Sequence, residues 1–427
     1  MMTPGLLLVI LFFALMILDI PIAISLGLSS ISVILFFDLM PLSGVSSVFF
    51  GTLEKFPLLA IPFFIYSGFV MDRGDISYKL INFVNGIIGK ITGGLAHVVI
   101  VVGILLAGIS GSGPADTAAL GSVLVPSMTK LKYDKAFCCG LISVVGSLGI
   151  VVPPSIAFIV YGIVSNTSIV KVFIAGIVPG LLCAIALAVP VYFISKKRGY
   201  TGEERVSVRE AAVRFKDAIW GLLAPVFILG GLYSGVFTAT ELSAVLSIYV
   251  TFVTAFIYRN IKAPAFLKIL TESAILSGMV LLIIGSASLF SWILTTQGIA
   301  DRMGQAILGF SSSTTVFLII ISIVLLITGC FLETNAVIFM FTPILLPIAT
   351  KLGIDPIFLG VLMILNLAIG QSTPPLGVNL FVCSGLTGLK IETIAYAAMP
   401  FILACICVMF FMVLSPDLIM WFPRLLF

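Results

Sequence analysis

Four short stretches combine small, polar and proline residues inside otherwise apolar sequence. Two of them, GSGPA at 111–115 and FLETN at 331–335, carry Gly, Ser, Thr or Asn, and two place a Gly ahead of Pro-Pro, GIVVPPS at 149–155 and GQSTPPL at 370–376. Each Pro-Pro removes two backbone donors and stops a helix at the preceding residue, which leaves carbonyl oxygens without partners. Free carbonyls and hydroxyls bind a cation, while helix starts face an anion. The stretches therefore favour binding of a cation and an anion together.

The composition indicates that these stretches lie within a membrane. The chain has 427 residues, of which 60% are hydrophobic and 9% are charged, and its mean hydropathy is +1.28. A soluble domain has about 25% charged residues, and here the apolar runs are continuous rather than alternating. We therefore expect an all-α polytopic membrane protein and not a β-barrel.

Several other classes of function are disfavoured. The net charge of +4 is spread over loops and gives no reason to expect nucleic-acid binding. The single histidine, His97, lies in an apolar run, and none of the seven cysteines forms a CxxC pair, which disfavours a metal centre built on these residues. The phosphate-binding loop GxxxxGKS or GxxxxGKT is absent, which argues against nucleotide-driven transport. The chain is not expected to be an enzyme.

The two stretches that place a Gly ahead of Pro-Pro, 149–155 and 370–376, belong to an internal repeat. Placing Gly108 over Gly329 aligns 108–179 with 329–400 without a gap and gives 14 identities in 72 positions. Four of the five prolines in the first window coincide with prolines in the second. Because each proline marks a specific break in the backbone, this agreement indicates two homologous halves.

Charge indicates that the two halves are inverted relative to each other. The linker 196–217 and the loop 259–268 are basic, which places both in the cytoplasm. Six Lys or Arg residues flank the segment pair 94–130, and two flank the pair 314–350. When membrane crossings are counted from the two basic loops, the ends of the pair 94–130 lie on the cytoplasmic side and those of the pair 314–350 lie on the outer side. The larger number of Lys and Arg residues around the first pair agrees with this assignment.

The expected domain organisation follows from the repeat. The first repeat, 1–195, is predicted to contain scaffold helices in 5–72, an interfacial arm at 75–92, a hairpin at 94–130, a broken helix at 136–166 and a helix at 170–195. After the cytoplasmic linker 196–217, the second repeat, 218–427, is predicted to contain scaffold helices in 218–296, an arm at 298–312, a hairpin at 314–350, a broken helix at 356–387 and a helix at 391–414.

Both hairpins are predicted to be re-entrant, because their polar tips need protein or a polar cavity around them at membrane depth. The alternative is that the small residues only allow close helix packing.

Three acidic residues near these elements have open roles. Asp116 follows the first tip and reads either as a helix N-cap or as a residue of the transport pathway. Glu241 follows Thr238 at a helix start, where a structural role is favoured over ion coupling. Glu333 at the second tip is consistent with binding a cation or repelling an anion.

Four motifs resemble one protein family. GISGSGPADTAALGSVLVPSM, GIVVPPSIAFIVYG, GVFTATELSAV and GQSTPPLGVNLFV occur in that order, and they resemble the large membrane subunit of tripartite ATP-independent periplasmic (TRAP) transporters over essentially the whole chain. The resemblance implies uptake of an organic carboxylate, of the sialic acid or C4-dicarboxylate type, driven by a sodium gradient. It also implies an elevator mechanism in a bacterial inner membrane, with a periplasmic substrate-binding protein and a small four-helix membrane subunit. No small-subunit sequence precedes the first segment, so that subunit is expected to be a separate polypeptide.

The resemblance also implies site residues. The first sodium site would use Ser110, Ser112, Gly149, Val152 and Pro154, and the second would use Thr334, Gly370, Thr373 and Pro375. The substrate would lie between the tips, near Gly113, Pro114, Asp116 and Asn335. The second tip carries Glu333-Thr334 where the first has Ser112-Gly113, so the two sodium sites need not be chemically alike.

Two other functions remain open. One is a stand-alone sodium- or proton-coupled carboxylate transporter or exchanger with the same architecture and no binding protein. The other is a membrane scaffold that transports nothing.

Overall fold

The computed structural model describes residues 3–200, 202, 207–299, 302 and 313–426, and all regular secondary structure in these ranges is helical. The predicted all-α class is confirmed. Within the described residues, eight helical stretches are long and apolar enough to cross a membrane. This number agrees with a multi-pass membrane protein.

The described first half consists of ten α-helices and two short 3-10 turns, at Phe56–Leu59 and Leu148–Ile150. The α-helices are α1 (Pro4–Ile17), α2 (Ile22–Phe36), α3 (Leu42–Leu53), α4 (Ala60–Arg73), α5 (Ile76–Ile88), α6 (Gly94–Ser110), α7 (Gly113–Lys130), α8 (Lys135–Ser147), α9 (Ile156–Ser165) and α10 (Ile169–Arg198).

The described second half begins with three helices, followed by a set that matches α6–α10. They are α11 (Val208–Tyr233), α12 (Ala239–Phe252), α13 (Ala263–Thr296), α14 (Thr314–Phe331), α15 (Thr334–Lys351), α16 (Pro356–Gly370), α17 (Val378–Thr387), α18 (Ile391–Leu414) and α19 (Pro416–Leu426). The predicted arm at 298–312 lies almost wholly outside the described residues.

Helices of the two repeats begin and end at equivalent residues when the halves are aligned with Gly108 over Gly329. In that alignment the first and last residues of α7 coincide with those of α15, and the first residue of α8 coincides with that of α16. The N-caps repeat too, because Asp134 accepts a hydrogen bond from the N–H of Phe137 at the start of α8, and Asp355 accepts one from Ile357 at the start of α16. A carboxylate at this position satisfies N–H groups that a helix start leaves free. The aligned residues thus perform the same local task in both halves.

The stretch predicted as a linker, 196–217, is partly helical. Helix α10 continues to Arg198 and α11 already begins at Val208, where the Ser207 hydroxyl accepts a hydrogen bond from the N–H of Glu210. Ser207 therefore supplies an N-cap for a polar turn of helix ahead of the apolar segment. Charge and polarity marked this stretch as lying outside the membrane, but they do not by themselves end a helix.

The packing divides the helices into two groups. In one group α2, α3 and α4 pack against α13, α4 packs against α12, and α5 packs against α11. In the other, α7 and α18 pack against α8, and α14 packs against α16. The groups meet where α5 contacts α6, where α4 contacts α6, and where α13 contacts α15. Contacts alone do not show which group moves, so the division into a scaffold and a transport domain stays a prediction.

The two repeats interlock within the second group. Helix α9, after the first break, packs against α15 of the second hairpin, and α17, after the second break, packs against α7 of the first hairpin. Both arms of the second hairpin are 18 residues long, which by length and composition suffices to cross a membrane. Length alone therefore does not distinguish a re-entrant hairpin from two crossings, and re-entrance stays a prediction.

Candidate binding site at the helix breaks

The turn between α6 and α7 lies directly against the first helix break. The carbonyl oxygen of Gly111 accepts a hydrogen bond of 3.5 Å from the N–H of Ile156, and Gly111 has a φ of +62°. A Cβ atom placed on Gly111 would lie 3.0 Å from the carbonyl oxygen of Pro154. Only glycine combines this left-handed backbone with so close an approach. The first hairpin tip and the first Pro-Pro therefore share one backbone interface.

Asp116 lies in the same cluster. The Ser110 hydroxyl donates a hydrogen bond of 2.5 Å to Oδ1 of Asp116, and the N–H of Ser112 donates one of 3.2 Å to Oγ of Ser110. Oδ2 of Asp116 is buried and makes no hydrogen bond with any described residue. A Cβ atom placed on Gly149 would collide with this oxygen and would lie 3.0 Å from the carbonyl oxygen of Ser112. Asp116, predicted beside the substrate, thus lies among the residues predicted for the first cation.

Asp116 is not a helix N-cap. The N-cap of α7 is Ser112, and Asp116 is the fourth residue of the helix. Pro114 is the second residue of α7, where its missing N–H has no helical partner to lose. The N-cap interpretation of Asp116 is therefore wrong, because the helix begins one turn earlier than that interpretation requires.

The remaining predicted members of the first site lie on the break itself. The N–H of Val152 donates a hydrogen bond of 2.9 Å to the carbonyl of Leu148, and the Val152 side chain faces Gly180 of α10. Pro154 is buried and its carbonyl faces Gly111. The structure thus brings Ser110, Ser112, Gly149 and Pro154 together, while Val152 contributes its side chain to packing.

The second break approaches α14 in the same way. A Cβ atom placed on Gly329 would lie 3.4 Å from Cα of Gly370, and the N–H of Gly377 donates a hydrogen bond of 3.3 Å to the carbonyl of Cys330. The Thr373 hydroxyl donates to the carbonyl of Ile369 at 2.7 Å. Pro375 is exposed, whereas Pro154 at the matching position is buried. The two breaks therefore share a backbone arrangement but differ in their surroundings.

Glu333 is the N-cap of α15. Its carboxylate accepts hydrogen bonds from the N–H of Ala336 at 3.1 Å and from Nδ2 of Asn335 at 2.8 Å. Thr334 and Asn335 are buried, and Oδ1 of Asn335 makes no hydrogen bond within the part of the chain that the structure describes. Both carboxylate oxygens of Glu333 are thus occupied by the start of its own helix.

Glu241 also has a local structural contact. It forms a capping box with Thr238, in which the Thr238 hydroxyl accepts from the N–H of Glu241 and a Glu241 oxygen accepts from the N–H of Thr238 at 2.8 Å. This arrangement satisfies two free N–H groups of α12. It agrees with the structural role favoured from the sequence.

Two side chains that were not predicted from the sequence lie beside Gly113 of the first hairpin tip, and one of them also reaches the second tip. Nε2 of Gln371 donates a hydrogen bond of 2.9 Å to Oγ1 of Thr334, and Oε1 of Gln371 faces Gly113. Nδ2 of Asn379 donates to the carbonyl of Ser143 at 3.0 Å. Oε1 of Gln371 and Oδ1 of Asn379 are buried and accept no hydrogen bond from the described residues. The available signal was the presence of two amides within the apolar stretch GQSTPPLGVN.

The donor set suits a cation bound mainly by neutral oxygens. Within the described ranges, no group of three or more His, Cys, Asp or Glu residues could hold a metal ion. The first cluster instead offers one carboxylate, the Ser110 hydroxyl and carbonyls at the break. Such a set resembles the sodium sites of transporters with broken helices, where unwound carbonyls supply the ligands.

Comparisons with known proteins give a consistent result. The family model "Tripartite ATP-independent periplasmic transporter, DctM component" matches residues 9–418. The chain is 43% identical to "C4-dicarboxylate TRAP transporter large permease protein DctM" of Pseudomonas aeruginosa, over 89% of each chain. It is 38% identical to "Sialic acid TRAP transporter large permease protein SiaM" of Vibrio cholerae, over 88% of each chain.

Two further similarities extend this picture. The chain is 39% identical to "Isethionate TRAP transporter permease protein DctMQ" of Oleidesulfovibrio alaskensis, over 96% of this chain and 65% of that protein. The crystal structure of the YdaH transporter of Alcanivorax borkumensis superposes with a TM-score of 0.65 at 14% identity, covering 96% of this chain and 97% of that one. At this identity the superposition shows a shared fold only.

Proposed function

The chain belongs to the DctM component family of TRAP transporters, whose members are transporter permeases and not enzymes, and we propose that it is the large subunit of a sodium-coupled importer of an organic carboxylate. Family membership implies a small membrane subunit and a periplasmic binding protein as partners. We place the importer in the bacterial inner membrane, with the stretch 196–217 on the cytoplasmic side.

The observation that carries the proposal is the unpaired Oδ2 of Asp116 beside Gly149. A buried carboxylate oxygen without a partner is costly in a medium of low dielectric constant. A sodium ion between this oxygen, the Ser112 carbonyl and the break at Gly149 would neutralise it. The first cation site then consists of Ser110, Ser112, Asp116, Gly149 and Pro154.

The second cation site is built on the second break. Its ligands come from Thr334, Gly370, Thr373 and Pro375, as the resemblance implies. The hydrogen bond from the N–H of Gly377 to the carbonyl of Cys330 supports it, because the aligned N–H at the first break, that of Ile156, donates to the carbonyl of Gly111. The exposure of Pro375 makes this site more accessible than the first.

The substrate anion binds where two helix starts meet. Gln371 contacts Thr334 at the start of α15 and Gly113 at the start of α7. The positive ends of two helix dipoles therefore converge near one amide, and each helix start favours an anion. The hairpin tips contain no Lys or Arg, so the carboxylate is bound by amides and helix ends, with Asn335 and Asn379 beside it.

The relatives are named for C4-dicarboxylates, sialic acid and isethionate. All three substrates are small organic anions, and the sequence identities to these three relatives are too similar to favour one substrate over the others.

In the proposed elevator mechanism the helix group containing both hairpins moves against the group containing α13. Only the loaded state moves, because either ligand alone leaves polar groups unsatisfied in hydrocarbon.

Thermal unfolding of the purified chain in sodium, potassium and choline chloride at equal ionic strength tests the sodium site. Sodium at 100 times its dissociation constant is expected to add about 2.7 kcal/mol of stability. Equal stability in all three salts would remove the support for a sodium site in the absence of substrate, and uptake without a sodium gradient would disprove the coupling.

Two further experiments test the alternative functions, a stand-alone transporter and a membrane scaffold that transports nothing. Co-purification of a small four-helix subunit would argue against a stand-alone transporter. Replacement of both Pro-Pro pairs by Ala-Ala is expected to abolish uptake, whereas undiminished uptake would indicate that the breaks serve no transport function.

A further inference from the structure

A groove lies between α10 and α18, which pack against each other. It contains two cavities, of about 360 Å³ and about 420 Å³. The wall of the first cavity is apolar and includes Leu182, Ala186, Ala404, Val408 and Phe411. Along each helix the residues that line the two cavities recur every three or four positions, from Leu182 to Lys197 and from Tyr396 to Phe411. Residues at this spacing share one helix face, so both cavities lie along one stripe of each helix.

The second cavity carries positive charge. It is lined by Ile194, Lys197, Arg198, Tyr396 and Pro400, and by Phe137 of α8. Lys197 is exposed and takes part in no salt bridge with a described residue. The Arg198 guanidinium is held 3.5 Å from Asp134 and donates a hydrogen bond of 3.3 Å to the Tyr200 hydroxyl. Glu392, near the start of α18, is exposed but does not line the cavity. One end of an apolar groove is therefore basic.

The surroundings of the groove are those of a surface that faces lipid. Large apolar side chains beside it are exposed, among them Ile185, Phe193 and Leu403. Helix α10 is long and apolar enough to cross a membrane, and its last turn is basic. Basic residues at a helix end favour the cytoplasmic interface, where Tyr is also common. The basic cavity is thus expected at the level of the lipid head groups and the apolar cavity at the level of the acyl chains.

We propose that this groove binds one anionic phospholipid, with its phosphate on Lys197 and Arg198 and an acyl chain in the apolar cavity. Basic pockets between transmembrane helices bind anionic head groups, and a guanidinium matches the geometry of a phosphate. Charge complementarity therefore selects a lipid over an apolar helix as the occupant. That the lipid belongs to the cytoplasmic leaflet rests on the proposed cytoplasmic position of 196–217, whereas lipid binding itself does not.

Lipid titration tests the site without reference to transport. The purified, delipidated chain in a neutral detergent is titrated with dioleoylphosphatidylglycerol and, separately, with zwitterionic dioleoylphosphatidylcholine, and native mass spectrometry counts the bound lipids. The wild-type chain is expected to bind one phosphatidylglycerol more tightly than phosphatidylcholine. Lys197→Gln should raise the dissociation constant for phosphatidylglycerol about fivefold, which is the attraction between two unit charges 4 Å apart in water.

The matched control is Lys196→Gln, which removes the same charge from a neighbouring residue that does not line the cavity. Its dissociation constant should stay at the wild-type value. Equal affinity of the wild-type chain for both lipids, or an equal effect of Lys196→Gln and Lys197→Gln, would overturn the proposal. Displacement of the lipid by millimolar inorganic phosphate would also overturn it, because it would show an anion site without an acyl-chain groove.

The apolar cavity is tested by Ala404→Trp. The indole is expected to raise the dissociation constant at least as much as Lys197→Gln does, because it occupies the space in which the acyl chain packs. Leu403→Trp is the control, since Leu403 is exposed and lies outside the cavity. Thermal unfolding of each variant checks that it is folded. Unchanged lipid binding in Ala404→Trp would overturn the groove, and so would loss of a co-purifying small subunit in that variant alone, which would assign the groove to that subunit.

Discussion

The side chain of Gln371 joins the second helix break to the second hairpin, because its Nε2 donates a hydrogen bond of 2.9 Å to Oγ1 of Thr334. Its Oε1 faces Gly113 at the start of the first hairpin's second helix. Gly113 and Thr334 are equivalent positions in the two repeats, since each is the first residue of its helix. A ligand that binds Gln371 would therefore lie next to both hairpins.

Gln371→Ala is expected to weaken substrate binding. A hydrogen bond to a charged group is worth about 1.5–3 kcal/mol, so the half-saturating carboxylate concentration should rise about tenfold to hundredfold. The measurement is uptake against substrate concentration at saturating sodium. Gln297→Ala, at the C-cap of α13, is the control. An unchanged half-saturating concentration would remove Gln371 from the substrate site.

Asp116→Asn is expected to abolish the sodium-selective rise in stability, because Asp116 supplies the only charged side chain among the residues assigned to the first site. Thermal unfolding in sodium and choline chloride measures the loss. Asp134→Asn is the matched control, since Asn caps a helix as well as Asp does. A sodium effect that survives in Asp116→Asn would show that this carboxylate does not bind the ion.

Gly149→Ala is expected to block the first cation site. The added methyl group would collide with Oδ2 of Asp116 and crowd the Ser112 carbonyl, which removes the space for an ion. Gly278→Ala in α13 is the control, because a Cβ atom there meets no described atom within 4 Å and Ala is more favourable than Gly in a helix by about 0.8–1 kcal/mol. Sodium dependence of stability should be lost in the first variant and kept in the second. Equal sodium dependence in both would contradict the site.

Glu333→Gln is expected to leave transport per folded molecule nearly unchanged, because the amide oxygen can still accept the N–H of Ala336. Glu333→Ala should lower stability by about 1 kcal/mol through loss of the cap. Uptake and unfolding are measured on the same preparations. Loss of uptake in Glu333→Gln at full stability would assign Glu333 to ion coupling.

The sequence by itself determined the helical class, the repeat and the positions of the four breaks. These features are local, because apolar runs predict helices, each Pro-Pro stops a helix, and small and polar residues mark the two hairpin tips. The match of α7 to α15 follows from the same cause, since equal spacing of start and stop signals produces equal helices.

Only the tertiary structure decided which polar groups meet. The sequence predicted Asp116 beside the substrate and missed Gln371 and Asn379. The packing of α7 against α8 places Asp116 at Gly149, and the packing of α17 against α7 brings the second break to Gly113. The sequence left Glu333 open between binding a cation and repelling an anion, and its position as the N-cap of α15 depends on where within one turn the helix begins. Such contacts depend on how helices distant in the chain pack, and spacing along the sequence carries no information about that.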